Sequence, residues 1–295
     1  MKILLIGTKG QLGSDLVRTL SQARHEVISG DHSTFDVCHA RQVEELVGTV
    51  RPKVIVNTAA FHKVEECEKQ PARAFEVNAA GALNLARACV RCGAVLVHFS
   101  TDYVFDGQKR VPYEEFDLPS PLNVYGASKL AGEDLIVCNT ERYFIVRTCG
   151  LYGHSGSSGK GGNFVETMLR KAAAGGTIRV VNDQVLTPTA TVDLARTISQ
   201  LIEMNAFGLY HVSCEGACSW YEFARKIFAL QRLEVDLIPA ATRDFPSPVK
   251  RPEYSVLSKS RLRNIGLSMP IWEESLGRYL QERIQKQQAF SAIPR

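Results

Sequence analysis

The sequence predicts an α/β fold: a doubly wound parallel sheet of Rossmann type, followed by a smaller C-terminal substrate-binding lobe. Three observations carry this expectation. Short, wholly apolar runs recur through the first half of the chain, helical stretches separate them, and the first run enters a glycine-rich turn. A strand buried on both faces needs such a run, and helices between successive strands cover the faces through right-handed crossovers. A chain of 295 residues can bury a sizeable core, enough for one large sheet domain and a small lobe. The expected division is a dinucleotide-binding domain over 1–150 and a lobe over 151–295, with a stretch near 180–205 returning to the sheet.

The first strand is Lys2-Ile3-Leu4-Leu5-Ile6, running into Gly7-Thr8-Lys9-Gly10-Gln11-Leu12-Gly13 and then a helix over 14–24. Strand, glycine turn and helix in that order form the setting a dinucleotide fingerprint requires. Gly7 permits the tight turn, Gly10 lets the backbone approach a pyrophosphate, and Gly13 lets the helix pack closely on the strand. Gln11 and Leu12 open the helix, whose free N–H groups suit phosphate. A second strand over 25–29 delivers Asp31 to where a carboxylate meets the adenosine ribose, which argues for NADH, with Lys9 and His32 near enough to soften discrimination against NADPH. Asp36 and Val37 follow as contacts to the adenine edge. The strand over 54–60 ends in Ala59, Ala60 and Phe61, small enough at first to let a cofactor pass. The strand over 94–99 delivers Ser100, Thr101 and Asp102 to the same edge. Helices are expected over 40–50, 71–92 and 125–139.

Tyr125 and Lys129 stand four residues apart at the start of the last of these helices, hence on one face. A fixed cation beside a phenol lowers the cost of the phenolate, so the pair is a proton-handling device. A Tyr and a Lys at this spacing also arise on ordinary solvated helices. What decides for chemistry is convergence: Gly7, Ala59, Thr101 and Tyr125 all map to the carboxyl ends of the strands, where ligands of such sheets collect.

These residues resemble an extended short-chain dehydrogenase/reductase. Gly7 to Gly13, Ser100-Thr101-Asp102-Tyr103-Val104-Phe105-Asp106-Gly107, Pro121-Leu122-Asn123-Val124-Tyr125-Gly126 and Lys129 are most similar to the dTDP-4-dehydrorhamnose reductase family. Further matches follow at Asn163-Phe164, Met168-Leu169, Val181-Asn182-Asp183-Gln184, Pro188-Thr189, Arg251-Pro252, Ser255 and Leu257, so the resemblance reaches from Met1 to about Tyr279. It implies a reductase of a dTDP-linked 4-keto-6-deoxy sugar, using NADH or NADPH and yielding dTDP-L-rhamnose for cell-surface polysaccharide. Tyr125 would be the proton donor, Thr101 would bond the same oxygen, and Lys129 would hold the ribose and lower the Tyr125 pKa. Thr101, Asp102, Gly150 and Arg251 would meet the substrate, Arg251 through its diphosphate. Two alternatives are a nucleotide-sugar epimerase of the same superfamily and a non-catalytic regulatory subunit resembling the methionine adenosyltransferase β subunit. The chain departs from the family at Arg147-Thr148-Cys149-Gly150-Leu151-Tyr152-Gly153, where Gly150 replaces a frequent Trp. A ring introduced there is expected to restore a stacking surface, unless Tyr152 already fills the gap.

Composition agrees. The net charge is +4, with Lys and Arg dispersed, so no basic stripe suggests nucleic acid. No apolar run approaches membrane-spanning length and no signal peptide precedes the first strand, which predicts a cytoplasmic protein. Eight cysteines lack a histidine complement at zinc spacing, so reduced, mostly buried thiols are expected and no metal. A homodimer is compatible with the sequence. His98 alternates within a strand and reads as a satisfied structural residue, whereas His62 lies nearer the crevice. The Gly/Ser-rich stretch 154–162 suits a lid.

Overall fold

The computed structural model describes residues 1–30, 35–155 and 162–291. Six parallel strands form the central sheet: β1 (Lys2–Ile6), β2 (Glu26–Gly30), β3 (Val54–Asn57), β4 (Val95–Thr101), β5 (Tyr143–Thr148) and β6 (Gly208–His211). Their order is β6-β5-β4-β3-β1-β2, and every pairing is parallel. The doubly wound fold is therefore as expected. Alternation along the strands divides the core. Ile3, Leu5, Val56, Val97 and Val146 face one layer, with α1 (Gln11–Gln22) and α6 (Thr191–Leu201) packed on it. Leu4, Ile6, Ile55, Leu96 and Ile145 face the other, covered by α2 (Ala40–Val50), α3 (Gly81–Cys92) and α4 (Val124–Val137). Burial on both sides explains why these strands read as continuous apolar runs.

Three boundaries differ from expectation for physical reasons. The first helix begins at Gln11, inside the glycine fingerprint, with Gly10 as its N-cap. The helix expected over 71–92 is Pro71–Phe75, a widened turn Glu76–Ala80 and then α3. That wide turn places the buried Asn78 side chain where it accepts the Phe61 N–H at 2.8 Å and donates to the Phe61 carbonyl at 3.0 Å and Ser128 Oγ at 2.9 Å. Such widened turns recur where a side chain serves a site. Finally, 180–205 adds no strand to the sheet: after the short strands Val185–Leu186 and Thr189–Ala190 it returns as α6, whose Leu194, Ala195, Ile198 and Leu201 are buried at helical spacing against the sheet, and the strand it leads into is β6.

Helices α5 (Phe164–Ala174), α7 (Trp220–Gln231) and α8 (Trp272–Ser291), with the parallel pair Ile178–Val181 and Leu237–Ala240, make up much of the C-terminal part of the chain. Its aromatic residues join the core of the sheet: Tyr152 meets Tyr279 edge-on at 5.1 Å, and Phe164 lies 4.5 Å from Trp220. The described cysteines are all free thiols, with Cys67, Cys89, Cys149, Cys214 and Cys218 buried. No described helix is long and apolar enough to cross a membrane.

Candidate active site

The turn after β1 is built for close approach. Gly7 has φ +82°, and a Cβ there would lie 2.5 Å from Thr58 Oγ1 and 3.2 Å from the Ala59 nitrogen. A Cβ on Gly13 would collide with the Gly7 carbonyl and sit 2.9 Å from Thr8 Cα, so only glycine lets α1 start this near the strand. No side chain caps α1, and Gln11, Leu12 and Gly13 line the crevice beside it, an arrangement that suits a phosphate. The Gln11 side chain accepts the Gly153 N–H at 2.9 Å, tying this turn to the segment after β5. These residues fit a dinucleotide.

One crevice of about 560 Å³ collects Gly7, Gly10, Gln11, Leu12, Gly13, Val37, Ala59, Ala60, Thr101, Asp102, Tyr125, Lys129 and Gly150. His62 lines it as well. Three expected contacts have side chains already engaged with other parts of the chain. The Asp36 carboxylate accepts the Cys38 N–H at 2.9 Å and pairs with Arg73; both hold it below the usual carboxylate range, that amide bond most strongly. The Phe61 ring packs on the core between sheet and helices. Arg251 pairs with Glu65, donates to Ser247 at 3.3 Å and is hydrogen-bonded to Tyr103, which lines the crevice. Asp31 and residues 156–161 of the expected lid lie outside the described residues.

The crevice floor carries the chemistry. Tyr125 is hydrogen-bonded to Thr101, and Thr101 Oγ1 donates to Asp102 Oδ1 at 3.0 Å. Asp102 is bonded in turn by Ser255. Burial pushes the Asp102 carboxyl up to about 6. Burial also raises the Tyr125 phenol above its ordinary value, partly offset by Thr101 and reinforced by Asp102. The expectation that Lys129 depresses the Tyr125 pKa is thus not met here. Lys129 Nζ instead stands 3.0 Å from His98 Nε2, and burial lowers it to about 8, against the opposing pull of Glu133. His98 is a satisfied histidine, but its partner is the lysine of the proposed pair. Below it, Arg147 grips Glu133 with both carboxylate oxygens engaged, at 2.6 to 3.1 Å. Ser100 donates to the same carboxylate. This buried pair fixes α4 against β4 and β5.

Gly150 lines the crevice but has φ +58°, and a Cβ would meet Leu186 Cδ1 at 2.9 Å, Pro188 Cα at 3.0 Å and the Thr187 carbonyl at 3.1 Å. A ring at 150 would need the backbone to move, which overturns the expectation that Trp simply restores a stacking surface. Tyr152 is not the substitute either, since it is 1% exposed and packed under Tyr279 and Phe223. The aromatic wall is Phe164 and Trp220. Trp220 opens α7 directly after a capping box of Ser219 and Glu222, a signal legible in the sequence as S-W-Y-E. Asn78 also went unread, because an isolated polar residue in an otherwise apolar helical stretch shows no spacing.

The chain matches the family model described as the RmlD substrate binding domain over residues 1–284. It is 43% identical to the spore coat polysaccharide biosynthesis protein SpsK of Bacillus subtilis (strain 168) over 282 residues, covering 96% of this chain and 98% of that protein. It is 37% identical to the dTDP-4-dehydrorhamnose reductase of Salmonella typhimurium (strain LT2), covering 96% and 98%. The solved dTDP-4-dehydrorhamnose reductase of Bacillus anthracis str. Ames, in complex with NADP, superposes with a TM-score of 0.91 at 41% identity, covering 95% and 99%. With one model spanning almost its whole length and relatives aligned end to end, the chain belongs to the RmlD substrate binding domain family.

Proposed function

We propose that the chain is a dTDP-4-dehydrorhamnose reductase, an NAD(P)H-dependent oxidoreductase that reduces the 4-keto group of a dTDP-linked 4-keto-6-deoxy sugar to dTDP-L-rhamnose. One observation carries the proposal: Tyr125, Thr101 and Asp102 form a hydrogen-bonded row in the same crevice as the glycine cradle. The dinucleotide supplies hydride when bound. The chain does the rest. Gly7, Gly10 and Gly13 admit the pyrophosphate, and Tyr125, kept protonated by burial, gives its proton to the carbonyl oxygen as charge gathers there. Thr101 Oγ1 supports the same oxygen by turning its one proton from Asp102 to it, and Lys129 takes the ribose. Phe164 and Trp220 offer an apolar wall to the sugar or the base. SpsK is named for spore coat polysaccharide biosynthesis, which suits a deoxysugar destined for a cell-surface polymer. The reaction would run in the cytoplasm, where its soluble reactants are, and a homodimer would leave the crevice in each copy complete.

The test is spectrophotometric. Purified chain, the 4-keto sugar nucleotide and NADH or NADPH should show net loss of reduced-nicotinamide absorbance. An epimerase returns its hydride and a regulatory subunit consumes none, so an unchanged absorbance with both cofactors would sink the proposal. Tyr125→Phe should cut turnover by about two or more orders of magnitude while cofactor affinity stays within a few-fold.

A further inference from the structure

The Lys129 amine ends a buried line of hydrogen bonds that starts at a backbone amide. The Ala59 N–H, which can only donate, meets Asn57 Oδ1 at 3.1 Å. That bond turns Asn57 Nδ2 toward His98 Nδ1, 3.1 Å away, so Nδ1 must accept. A neutral imidazole accepting at Nδ1 carries its proton on Nε2. Nε2 faces Lys129 Nζ at 3.0 Å. An ammonium there would set donor against donor, whereas a neutral amine has a lone pair to accept the Nε2–H. Asn57 is 2% exposed, His98 1% and Lys129 1%, so a mismatch would leave polar groups unpaired away from water.

We infer that His98 is a positioning residue whose tautomer, set by Asn57 and the Ala59 amide, holds Lys129 as an uncharged amine at rest. This rests on the reading that Lys129 serves the site. The groups acting on the pair support it. His98 faces Lys129, and the one further charge acting on Lys129 is Glu133 on the same helix. Glu133 is already matched by Arg147 and Ser100, so little of its field is left to favour an ammonium. Burial, which lowers Lys129 to about 8, works in the same direction, so the resting amine is the form held from about pH 8 upward. Engagement of the ribose would then require Nζ to leave His98 and take one proton from solvent onto its lone pair.

The experiment is nitrogen NMR of the full chain with labelled histidine, at about pH 9, where an ordinary ammonium stays charged. The His98 signal is assigned by its absence in His98→Gln. The expected result is a neutral Nε2–H tautomer; an Nδ1–H tautomer or an imidazolium would overturn the inference. Asn57→Asp replaces the donor facing Nδ1 with a carboxylate, so the variant should switch to Nδ1–H. Calorimetry of NADH binding in two buffers of different ionisation enthalpy gives a second readout: proton uptake near one in the native chain at about pH 9 and near zero in the variant. Equal uptake in both would also overturn it. If Asn57→Asp does not fold, the spectrum of the native chain decides alone. Neither measurement needs turnover, so absence of keto-sugar reduction would sink the proposed function without touching this inference.

Discussion

Asp102 is a carboxyl group enclosed beside Thr101, Tyr125 and Ser255, and its burial has a measurable consequence. Its folded pKa of about 6 lies above the unfolded value near 3.9. The folded state therefore prefers the protonated acid. That contribution is fully present below about pH 4 and is lost as pH rises through about 6, leaving a buried carboxylate worth roughly 2 to 3 kcal/mol of instability at pH 8. Asp102→Asn should change urea stability little at pH 4 and raise it by about 1 to 3 kcal/mol at pH 8. A loss at pH 8 would show that the acid is stabilised by its neighbours in the charged form. Gly150 gives the second prediction at this scale. Its φ of +58° and the Pro188 and Thr187 backbone around it mean that Gly150→Trp should lose about 1 to 3 kcal/mol. Its Michaelis constant for the sugar should rise rather than fall, which steady-state kinetics and thermal melting check together.

At the scale of elements, α4, β4 and β5 are held in register by Glu133, Arg147 and Ser100, and that register aims Tyr125 and Lys129. Both charged side chains of the pair are 4% exposed. Removing one partner strands the other, so Arg147→Met should cost about 3 to 5 kcal/mol, while the double replacement of Arg147 and Glu133 by apolar residues should recover much of it. Chemical unfolding of the two variants reads this; an Arg147→Met chain as stable as the native one would refute it. The helices and strands around this pair were legible because their apolar spacing is local. The break at Glu76–Ala80 was not, since the helix widens for Asn78 to reach Phe61 and Ser128, partners set by the packing of other segments.

At the scale of the whole molecule, the crevice is lined by the carboxyl edge of the sheet and by residues of the C-terminal part of the chain, with Gln11 bridging to Gly153 and Asn163. A ligand seated there binds the folded chain alone. NADH or NADPH at about a hundred times its dissociation constant should add about 2.7 kcal/mol and raise the melting temperature by a few degrees. With the two cofactors compared at one equal concentration, the larger shift identifies the preferred one, and Gly13→Ala should abolish both, because its Cβ collides with the Gly7 carbonyl. No shift with either cofactor in the native chain would refute the cradle. By itself the sequence determined the parallel sheet, the glycine turn and the meeting of Thr101, Tyr125 and Lys129, because buried strands and helix starts are written in short-range patterns and the sheet's topology brings their ends together. Only the tertiary structure decided that Asp36 and Arg251 spend their charge on Arg73 and Glu65, that Gly150 has no room for a ring, and that Lys129 answers to His98. Those outcomes turn on distances of a few ångströms between segments remote in the chain, where packing, not spacing, selects the partner.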